Sequence, residues 1–445
     1  MAEEAAVATR SELGASAVEL LQRLIRIDTS NPPGAEREAQ EMLREVLAGA
    51  GFDCELPARD PERPNLVARL RGERDGPVLS LLGHVDTVPA DPSEWSRDPW
   101  SGDLVDGEVW GRGALDMKGQ VASEVAAAAA LAVDGWRPAR GDLLVVITAD
   151  EEKGGGYGAQ WLCEERPELV RSDMVVNEGG GIALEADGRR LYTVSLGEKG
   201  ICRFRLRTRG RAGHASLPRV GDNALVKIAP LVERLAEQPP REATREATAF
   251  LSAMLGHPVG EDPDSLESAL DEVSSSDPAA PAFLAEPMLG VTLSPVMAQA
   301  GVKENVIPSR AEVLVDCRVP PELGPEHVRE RVDSLLGAGD WDLDFEETVV
   351  GNRSEEGTPL WDAIDEWLAE ADPGADLVPV VMAGFSDSNW FRGAFGATVY
   401  GFCPHNAKTL SEAAPLIHGA DERAPAADLE LAAGFFHELP QRVLR

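Results

Sequence analysis

Three consecutive acidic residues, Asp150, Glu151 and Glu152, come directly after the apolar segment 143–148, which has the composition of a buried strand. Carboxylates this close repel one another, and each loses hydration on burial unless a cation or hydrogen-bond donors compensate. Taken alone, an acidic triplet is typical of a solvated loop tip. Other ligand-type side chains are therefore needed before the triplet indicates a cation site.

Four other places in the chain put such side chains at the ends of apolar segments or in turns: His84 with Asp86, Asp116, Glu178 and His418. A lone histidine is more often a core residue, and a lone aspartate before a helix is usually an N-cap. However, His84 and Asp86 are two apart on a strand and face the same side. In open α/β sheets the carboxyl ends of the strands share one crevice, where these residues and the acidic triplet can converge.

The chemistry of this residue set favours a metal centre. Imidazole and carboxylate ligands without thiolate suit zinc, with cobalt or manganese as alternatives. Two histidines and three carboxylates can hold two divalent ions if one carboxylate bridges them. A bound water then ionises readily, because hydroxide neutralises the remaining positive charge. One acid of the triplet would bind a metal, and its neighbour would stay free as a general base.

The elements that must position these residues alternate between helix and strand. Apolar periodicity predicts helices at 14–27, 35–50 and 119–133 and strands at 65–70, 77–86 and 143–148. Strands separated by helices indicate an α/β unit with a largely parallel sheet. We expect this unit to span residues 1–196.

The pattern changes at residue 197. Alternating segments near 201–210, 288–296, 310–319 and 342–350, with helices near 221–237 and 325–336, follow the order strand, helix, two strands, helix, strand. This order is typical of a ferredoxin-like α+β fold. The α/β pattern resumes after residue 357, so a second domain, 197–356, is predicted to be inserted into the first, which continues over 357–445. The acidic, Ser/Pro/Ala-rich segment 240–286 is predicted to be a surface excursion with one short helix.

Composition narrows the partners and the compartment. The net charge of −35 disfavours nucleic acid and anionic membranes as partners. No apolar run approaches the ~20 residues that span a bilayer, and the N-terminus is acidic where a secretory signal needs positive charge. The five cysteines are scattered and lack CxxC spacing, which suits a reducing compartment. We therefore expect a cytoplasmic protein.

Eight short motifs then identify a family. HVDTVP, GRGALDMKG, TADEEKGG, NEGGG, GRAGHAS, NVIP, DCR and IHGADER occur in the right order and at suitable spacings between about Ile25 and Arg423. The chain resembles the two-zinc family of aminoacylases, acetylornithine deacetylase, succinyl-diaminopimelate desuccinylase and glutamate carboxypeptidase. The resemblance implies a zinc-exopeptidase-like catalytic domain, with the inserted domain making a homodimer and closing over the substrate.

The resemblance also implies roles for the metal-centre residues. His84 and Glu178 would hold one metal ion, Glu152 and His418 the other, with Asp116 bridging both. Asp86 would orient the ring of His84. Glu151 would be the general base, which takes a proton from the bridging water and passes it to the departing amine.

Substrate-side roles follow from the same resemblance. His214, on the inserted domain, would reach the active site of the partner subunit and stabilise the oxyanion; its alternative is a surface histidine at a strand end. Asn305 and Arg318 match positions that bind the substrate carboxylate. Asn389 stands where the family often has an arginine, and Arg392 would replace that arginine if the segment is helical, since i and i+3 share a face.

The expected function is metal-dependent hydrolysis of an amide, in an N-acyl amino acid or at the C-terminal residue of a small peptide. Two alternatives remain open at this stage. An aminopeptidase of the same clan would recognise a free amine and needs an acid in the pocket. A non-catalytic metal-binding relative would be expected to lack the base, whereas Glu151 and the full ligand set are present.

Overall fold

The structure, a computed structural model, describes residues 8–186 and 188–445. Its main sheet has nine strands: β1 (Asp53–Glu55), β2 (Leu66–Arg71), β3 (Val78–His84), β6 (Asp142–Thr148), β7 (Met174–Asn177), β8 (Ala183–Ala186), β9 (Arg189–Glu198), β14 (Asp376–Met382) and β15 (Thr398–Gly401). Their order is β1-β2-β6-β3-β7-β15-β9-β14, and β8 pairs with β9.

The centre of this sheet is parallel. β6, β3, β7 and β15 are neighbours that run in the same direction. Parallel strands are buried on both faces, which explains why the segment 143–148 is an uninterrupted apolar run. The predicted α/β architecture with a mostly parallel central sheet is confirmed, although β2 and β9 join the parallel block in antiparallel fashion.

Helices cover both faces of the main sheet. One group, in mutual contact, packs on the core that includes β3 and β6: α1 (Arg10–Ile25), α2 (Arg37–Ala50), α3 (Lys118–Val133), α11 (Pro359–Ala371) and α14 (Ala426–Val443). The other face is covered by α4 (Ala159–Glu165), α5 (Pro167–Val170) and α12 (Ser388–Phe395). The alanine-rich composition of α3 follows from its position, because nearly the whole helix is buried against neighbours on several sides.

A second, four-stranded sheet consists of β10 (Gly200–Arg209), β11 (Thr292–Ala300), β12 (Arg310–Val319) and β13 (Trp341–Val349), in the order β11-β12-β10-β13. All pairs are antiparallel. Helices α6 (Ala224–Ala236) and α10 (Pro325–Leu336) cover its apolar face. This strand order is that of a ferredoxin-like fold. The opposite face carries arginines of β10 paired with acidic residues of β12 and β13.

The segment 240–286 differs from its prediction. It holds two helices, α7 (Arg245–Leu255) and α8 (Pro263–Ser276), and leads through a π-helical turn at Pro281–Ala285 into α9 (Glu286–Met288). Residues such as Phe250 and Leu270 are buried in a core shared with Val378 of β14. The expectation of a surface excursion with one short helix was wrong, because the acidic, Ser-rich composition hides apolar residues at helical spacing. These helices pack on the main sheet, although they lie between α6 and β11 in sequence.

The chain therefore passes between the two sheets four times, and we call the region of these passages the joint: residues 197–200, 237–244, 286–292 and 349–354. Hydrogen bonds cross-link the joint. Lys199 Nζ donates to the carbonyls of Pro287 and Gly290, both at 2.8 Å, and Glu198 N donates to the carbonyl of Asn352 at 3.3 Å. A Cβ at Gly351 would lie 2.3 Å from the Glu198 carbonyl, so this close approach requires glycine.

A small sheet positions the C-terminal histidine. It is formed by β4 (Leu104–Val105), β5 (Glu108–Trp110) and β16 (Arg423–Pro425), and the short helix α13 (Leu410–Ala413) precedes the histidine loop. Pairing of β16 with β5 places the loop that carries His418 next to the glycine-rich turn that carries Asp116. Over residues 8–186 and 188–445, no helix is long and apolar enough to cross a membrane.

Candidate metal centre

The carboxyl ends of three parallel strands bring the sequence-predicted ligands into one place. His84 is the last residue of β3 and pairs with Thr148, the last residue of β6. The acidic triplet follows β6 directly and forms a 3-10 turn at Glu151–Lys153. Glu178 follows β7. This is the crevice at strand ends where open α/β sheets bind their ligands.

Asp116 lies between the two histidines. Its Oδ1 is 3.2 Å from His84 Nε2, and its Oδ2 is 3.1 Å from His418 Nε2. His84 Nε2 is also 3.9 Å from Glu178 Oε1, and His418 Nε2 is 3.3 Å from Glu152 Oε2. The structure thus brings the five predicted ligands together in two halves that share the Asp116 carboxylate.

These residues fit divalent cations. His84 Nε2 and Glu152 Oε1 are buried, and neither makes a hydrogen bond of acceptable geometry with the described residues, even though Asp116 Oδ1 is close to His84 Nε2. Buried polar atoms are normally satisfied, so two such atoms aimed into one cluster indicate a ligand. Ligand atoms of His84, Asp116 and Glu152 lie within 4.8 Å of one another, as do those of His84, Glu151 and Glu178. Imidazole nitrogen and carboxylate oxygen are the donors that zinc accepts.

The pKa shifts of the clustered side chains also indicate that this site requires positive charge. Burial, with a contribution from Asp116, raises the pKa of Glu178 to about 8. Burial, with the repulsion of Glu178, raises the pKa of Glu151 well above its usual range. The carboxylates of Asp116 and Glu152 raise the pKa of His418 to about 10. Carboxyl groups this crowded ionise together only when cations compensate them.

Asp86 connects His84 with the acidic turn. His84 Nδ1 lies 2.9 Å from the backbone oxygen of Asp86 and 3.6 Å from its Oδ1, so the backbone carbonyl is the better placed to orient the ring. The Asp86 carboxylate instead accepts hydrogen bonds from the backbone N–H groups of Glu151, at 3.1 Å, and Glu152, at 3.2 Å. Its carboxylate therefore anchors the turn that carries the predicted base and ligand.

Asp150, the first acid of the triplet, is oriented away from the ligand set. It has a left-handed backbone conformation (φ 66°), and its Oδ2 accepts a hydrogen bond from the Tyr157 backbone at 3.1 Å. Its Oδ1 is 3.0 Å from both Arg63 Nη1 and Asn31 Nδ2. Asp150 is therefore held by the Tyr157 backbone, Arg63 and Asn31.

Glu422 was missed as a candidate although it lies within the motif IHGADER. Its carboxylate accepts hydrogen bonds from the backbone of Gly113 (2.9 Å), Leu115 (2.7 Å) and Asp116 (3.0 Å). Arg112 donates to it at 2.6 Å and also donates to the His418 carbonyl at 3.1 Å. Glu422 and Arg112 thus join the turns of Asp116 and His418. The signal was the acid placed four residues after a predicted ligand.

Asp387, at the start of α12, was also missed. It is buried, and its Oδ2 lies 2.6 Å from the Thr148 hydroxyl at the end of β6. Burial raises the pKa of Asp387 to about 7. Its position beneath the acidic turn depends on how α12 packs against α4, which the sequence around Asp387 does not reveal.

Three predicted substrate-side residues lie on the unit of the four-stranded sheet. His214 is exposed and bonds to the Ser216 hydroxyl at 2.8 Å, and the backbone of Asn305 accepts from Ala215 at 3.0 Å. Arg318 donates to Asp316 at 2.8 Å. Within the chain as described, none of the three has a hydrogen bond or ion pair with a metal-centre residue. Their proposed roles therefore depend on closure or on a second subunit.

Arg392 differs from its expected role. Its segment is helical, as that role required, but the guanidinium is buried and already has partners: Glu198 (2.6 Å), Ser354 (3.2 Å), Asn352 (3.2 Å) and the Val399 carbonyl (3.0 Å). The suggestion that Arg392 replaces the family's usual carboxylate clamp is therefore not supported, because the buried Glu198 occupies it. Asn389 is buried nearby, and its Oδ1 has no hydrogen-bond partner among the described residues.

The ion pair of Arg392 with Glu198 gives a first prediction. Arg392→Met leaves the Glu198 carboxylate buried without its partner, so the free energy of unfolding should fall by about 3–5 kcal/mol. Chemical denaturation measures this loss. The control is Arg166→Met, whose partner Glu168 is exposed, so a much smaller loss of stability is expected. Unchanged stability together with a large rise in KM would restore Arg392 as a substrate clamp.

Comparisons with known proteins agree with this geometry. The model of peptidase family M20/M25/M40 matches residues 80–442. The succinyl-diaminopimelate desuccinylase of Paracoccus denitrificans (strain Pd 1222) is 27% identical over 440 residues, covering 95% of this chain and 97% of the relative.

Solved structures show the same fold. An M20 family metallo-carboxypeptidase from Sulfolobus solfataricus matches with a TM-score of 0.69 at 19% identity, covering 96% of this chain and 99% of that one. A dinuclear metal-binding peptidase of the M20 family from Bacillus subtilis matches with a TM-score of 0.59 at 15% identity, covering 98% and 99%. The family resemblance carried by the eight motifs is thereby confirmed. This chain is a hydrolytic enzyme and belongs to peptidase family M20/M25/M40.

Proposed function

We propose that this enzyme hydrolyses the amide bond of an N-acyl amino acid, or of the C-terminal residue of a small peptide, with two zinc ions. The observation that carries the proposal is the Asp116 carboxylate, which presents one oxygen to each histidine of the cluster. The name of the desuccinylase relative supports an acylated amino acid substrate, and that of the carboxypeptidase neighbour supports a peptide. Cobalt or manganese could take the place of zinc.

Each residue of the cluster would have a separate role. His84 and Glu178 would hold one metal ion, Glu152 and His418 the other, and Asp116 both. The ions would bind and acidify the water that attacks the amide carbonyl. Glu151, whose Oε2 lies 3.8 Å from His84 Nε2, would accept the proton of that water and deliver it to the departing amine nitrogen.

The exposed surface of the four-stranded unit supports a homodimer. Within the described part of the chain, edge strand β11 pairs on one side only, and it exposes Val296 (54%) and Met297 (65%). Further exposed apolar residues lie in and before α6: Leu217, Val220, Leu225 and Val226. An unpaired edge strand beside apolar side chains can pair with a second copy of itself. We propose that this surface forms the dimer and that His214 stabilises the oxyanion in the partner's site.

Mixed dimers test this role of His214. His214→Ala and Glu151→Gln chains should each be nearly inactive, whereas a mixture that has exchanged subunits should regain activity, since each hybrid contains one intact composite site. Up to about a quarter of wild-type activity is expected if exchange is random and each hybrid has one working site. Mass spectrometry verifies the exchange. Verified hybrids without activity would contradict action across the dimer.

A hydrolysis screen tests the reaction itself. The panel contains N-acetyl and N-succinyl amino acids, dipeptides with free and with blocked amines, and C-terminal amides, each with zinc, cobalt or manganese. We expect hydrolysis of compounds with a free carboxylate next to the amide, which Asn305 and Arg318 would bind. A requirement for the free amine would favour the aminopeptidase alternative. Hydrolysis of C-terminal amides as fast as acids would contradict the proposed carboxylate recognition.

A further inference from the structure

Asn31 lies between the buried carboxylates of Asp86 and Asp150, which hold the turn of the predicted base and ligand in place. Its Nδ2 is 2.9 Å from Asp86 Oδ2 and 3.0 Å from Asp150 Oδ1. An amide nitrogen carries two hydrogens, so it can donate to both carboxylates at once. All three residues are almost fully buried, with at most 4% of their surface exposed. The amide therefore separates two buried carboxylates, one of which, Asp150, also pairs with Arg63.

Both carboxylates shape the acidic turn. Asp86 accepts the backbone N–H groups of Glu151 and Glu152, and Asp150 precedes them and accepts the backbone N–H of Tyr157. The Asn31 side chain thus contacts both acids that fix the turn. Asp86 accepts from the backbone amides of the turn, and Asp150 lies at the first residue of the turn.

Asn31 is itself held against the strand that carries His84. Its backbone N–H donates to the Thr87 carbonyl at 2.8 Å, and Thr87 donates to the Thr29 carbonyl at 3.2 Å. Ser30 and Thr87 form a parallel bridge. This pairing fixes the Asn31 amide relative to the residues just beyond the end of β3.

We propose that Asn31 is a positioning residue that sets the distance between His84 and the turn of Glu151 and Glu152. The inference rests on the proposed function, in which Glu151 is the base and Glu152 a ligand. Without the two donors, Asp86 and Asp150 face each other directly with only Arg63 beside Asp150, and Asp86 keeps only the N–H groups of the turn, so the turn shifts relative to β3. A buried asparagine that only fills space would have no such effect.

Two variants of similar volume test the proposal. Asn31→Leu removes both donors without adding charge, and Asn31→Asp replaces them with a third acid. Partners that orient metal ligands contribute about 10–100-fold to metal affinity or activity. We expect kcat to fall at least about tenfold in both variants with KM nearly unchanged, and zinc affinity to fall at least about tenfold in Asn31→Leu. Calorimetric titration of zinc into metal-free protein measures the affinity independently of turnover.

The control is Asn406→Asp, which makes the same change of charge at an exposed asparagine that donates to the Tyr192 hydroxyl and, in the structure as described, has no hydrogen bond or ion pair with a metal-centre residue; its kcat and zinc affinity should equal those of wild type. Wild-type kcat and zinc affinity in both Asn31 variants, even with a lower melting temperature, would overturn the proposal. Should Asn31→Leu fail to fold, kcat of the isosteric Asn31→Asp decides in the same way. If the wild-type enzyme binds zinc but hydrolyses nothing in the panel, the proposed function fails, while the zinc titration still decides the role of Asn31.

Discussion

Glu151→Gln is expected to lower kcat by about 10²–10⁴-fold while the protein keeps both metal ions, because general base catalysis contributes that much and the substitution preserves shape. Only 10% of the Glu151 side chain is exposed, and its backbone N–H donates to Asp86, so the glutamine should take the same position. KM should change little, since the proposed role is proton transfer and not substrate binding. Steady-state kinetics and elemental analysis of the same preparation measure both quantities.

Glu152→Gln is the matched comparison, because it makes the same chemical change one residue along the turn. Glu152 Oε2 lies 3.3 Å from His418 Nε2, so this variant should lose affinity for one metal, and excess zinc should restore part of its activity. If Glu151→Gln loses a metal while Glu152→Gln keeps both, the two roles must be exchanged. A Glu151→Gln enzyme with wild-type kcat would remove the general-base mechanism altogether.

The second large effect is expected at Asp116. Asp116→Ala removes the carboxylate shared by both halves of the cluster, so zinc bound per chain should fall below the two equivalents expected of wild type. Loss of one metal removes several kcal/mol of transition-state stabilisation, and ~3 kcal/mol corresponds to about 10²-fold in rate. Elemental analysis after dialysis into zinc gives the stoichiometry, and kinetics on the best substrate of the screen give the rate.

Chelation provides the control for Asp116→Ala. Wild-type enzyme treated with a chelator should lose activity and recover it when zinc is returned, whereas Asp116→Ala should not recover. Circular dichroism establishes that the variant is folded. Wild-type saturation at one equivalent, unchanged by Asp116→Ala, would contradict a bridged two-metal centre.

The sequence alone predicted the five residues that the structure brings together, because each is marked by local chemistry. His84 and Glu178 follow apolar runs, and Asp116 precedes a strong helix, so the rule that strand ends converge was enough to group them. The helix near 325–336 was predicted where α10 lies, because its apolar residues recur at helical spacing.

The residues that hold the predicted metal ligands in position could not be predicted in this way. Asn31, Glu422 and Asp387 reach the cluster from distant parts of the chain, and their roles depend on contacts that span more than 50 residues. Arg392 illustrates the opposite error: helical spacing placed it correctly beside Asn389, but only the fold reveals that Glu198 already binds it. Local patterns report side-chain type and face, whereas long-range packing decides the partner.

The joint has a mechanical consequence. A unit attached by one chain segment could rotate and twist freely, and a unit attached by two segments could still rotate about them. In the joint, four chain segments run through the same narrow region. Hydrogen bonds of Lys199, Glu198 and the backbone of Glu242 link them to one another. Four linked segments resist torsion, because one segment cannot rotate without moving the other three. Any rotation of the four-stranded unit would thus be restricted to a small angle, which would hold His214 to a nearly constant path.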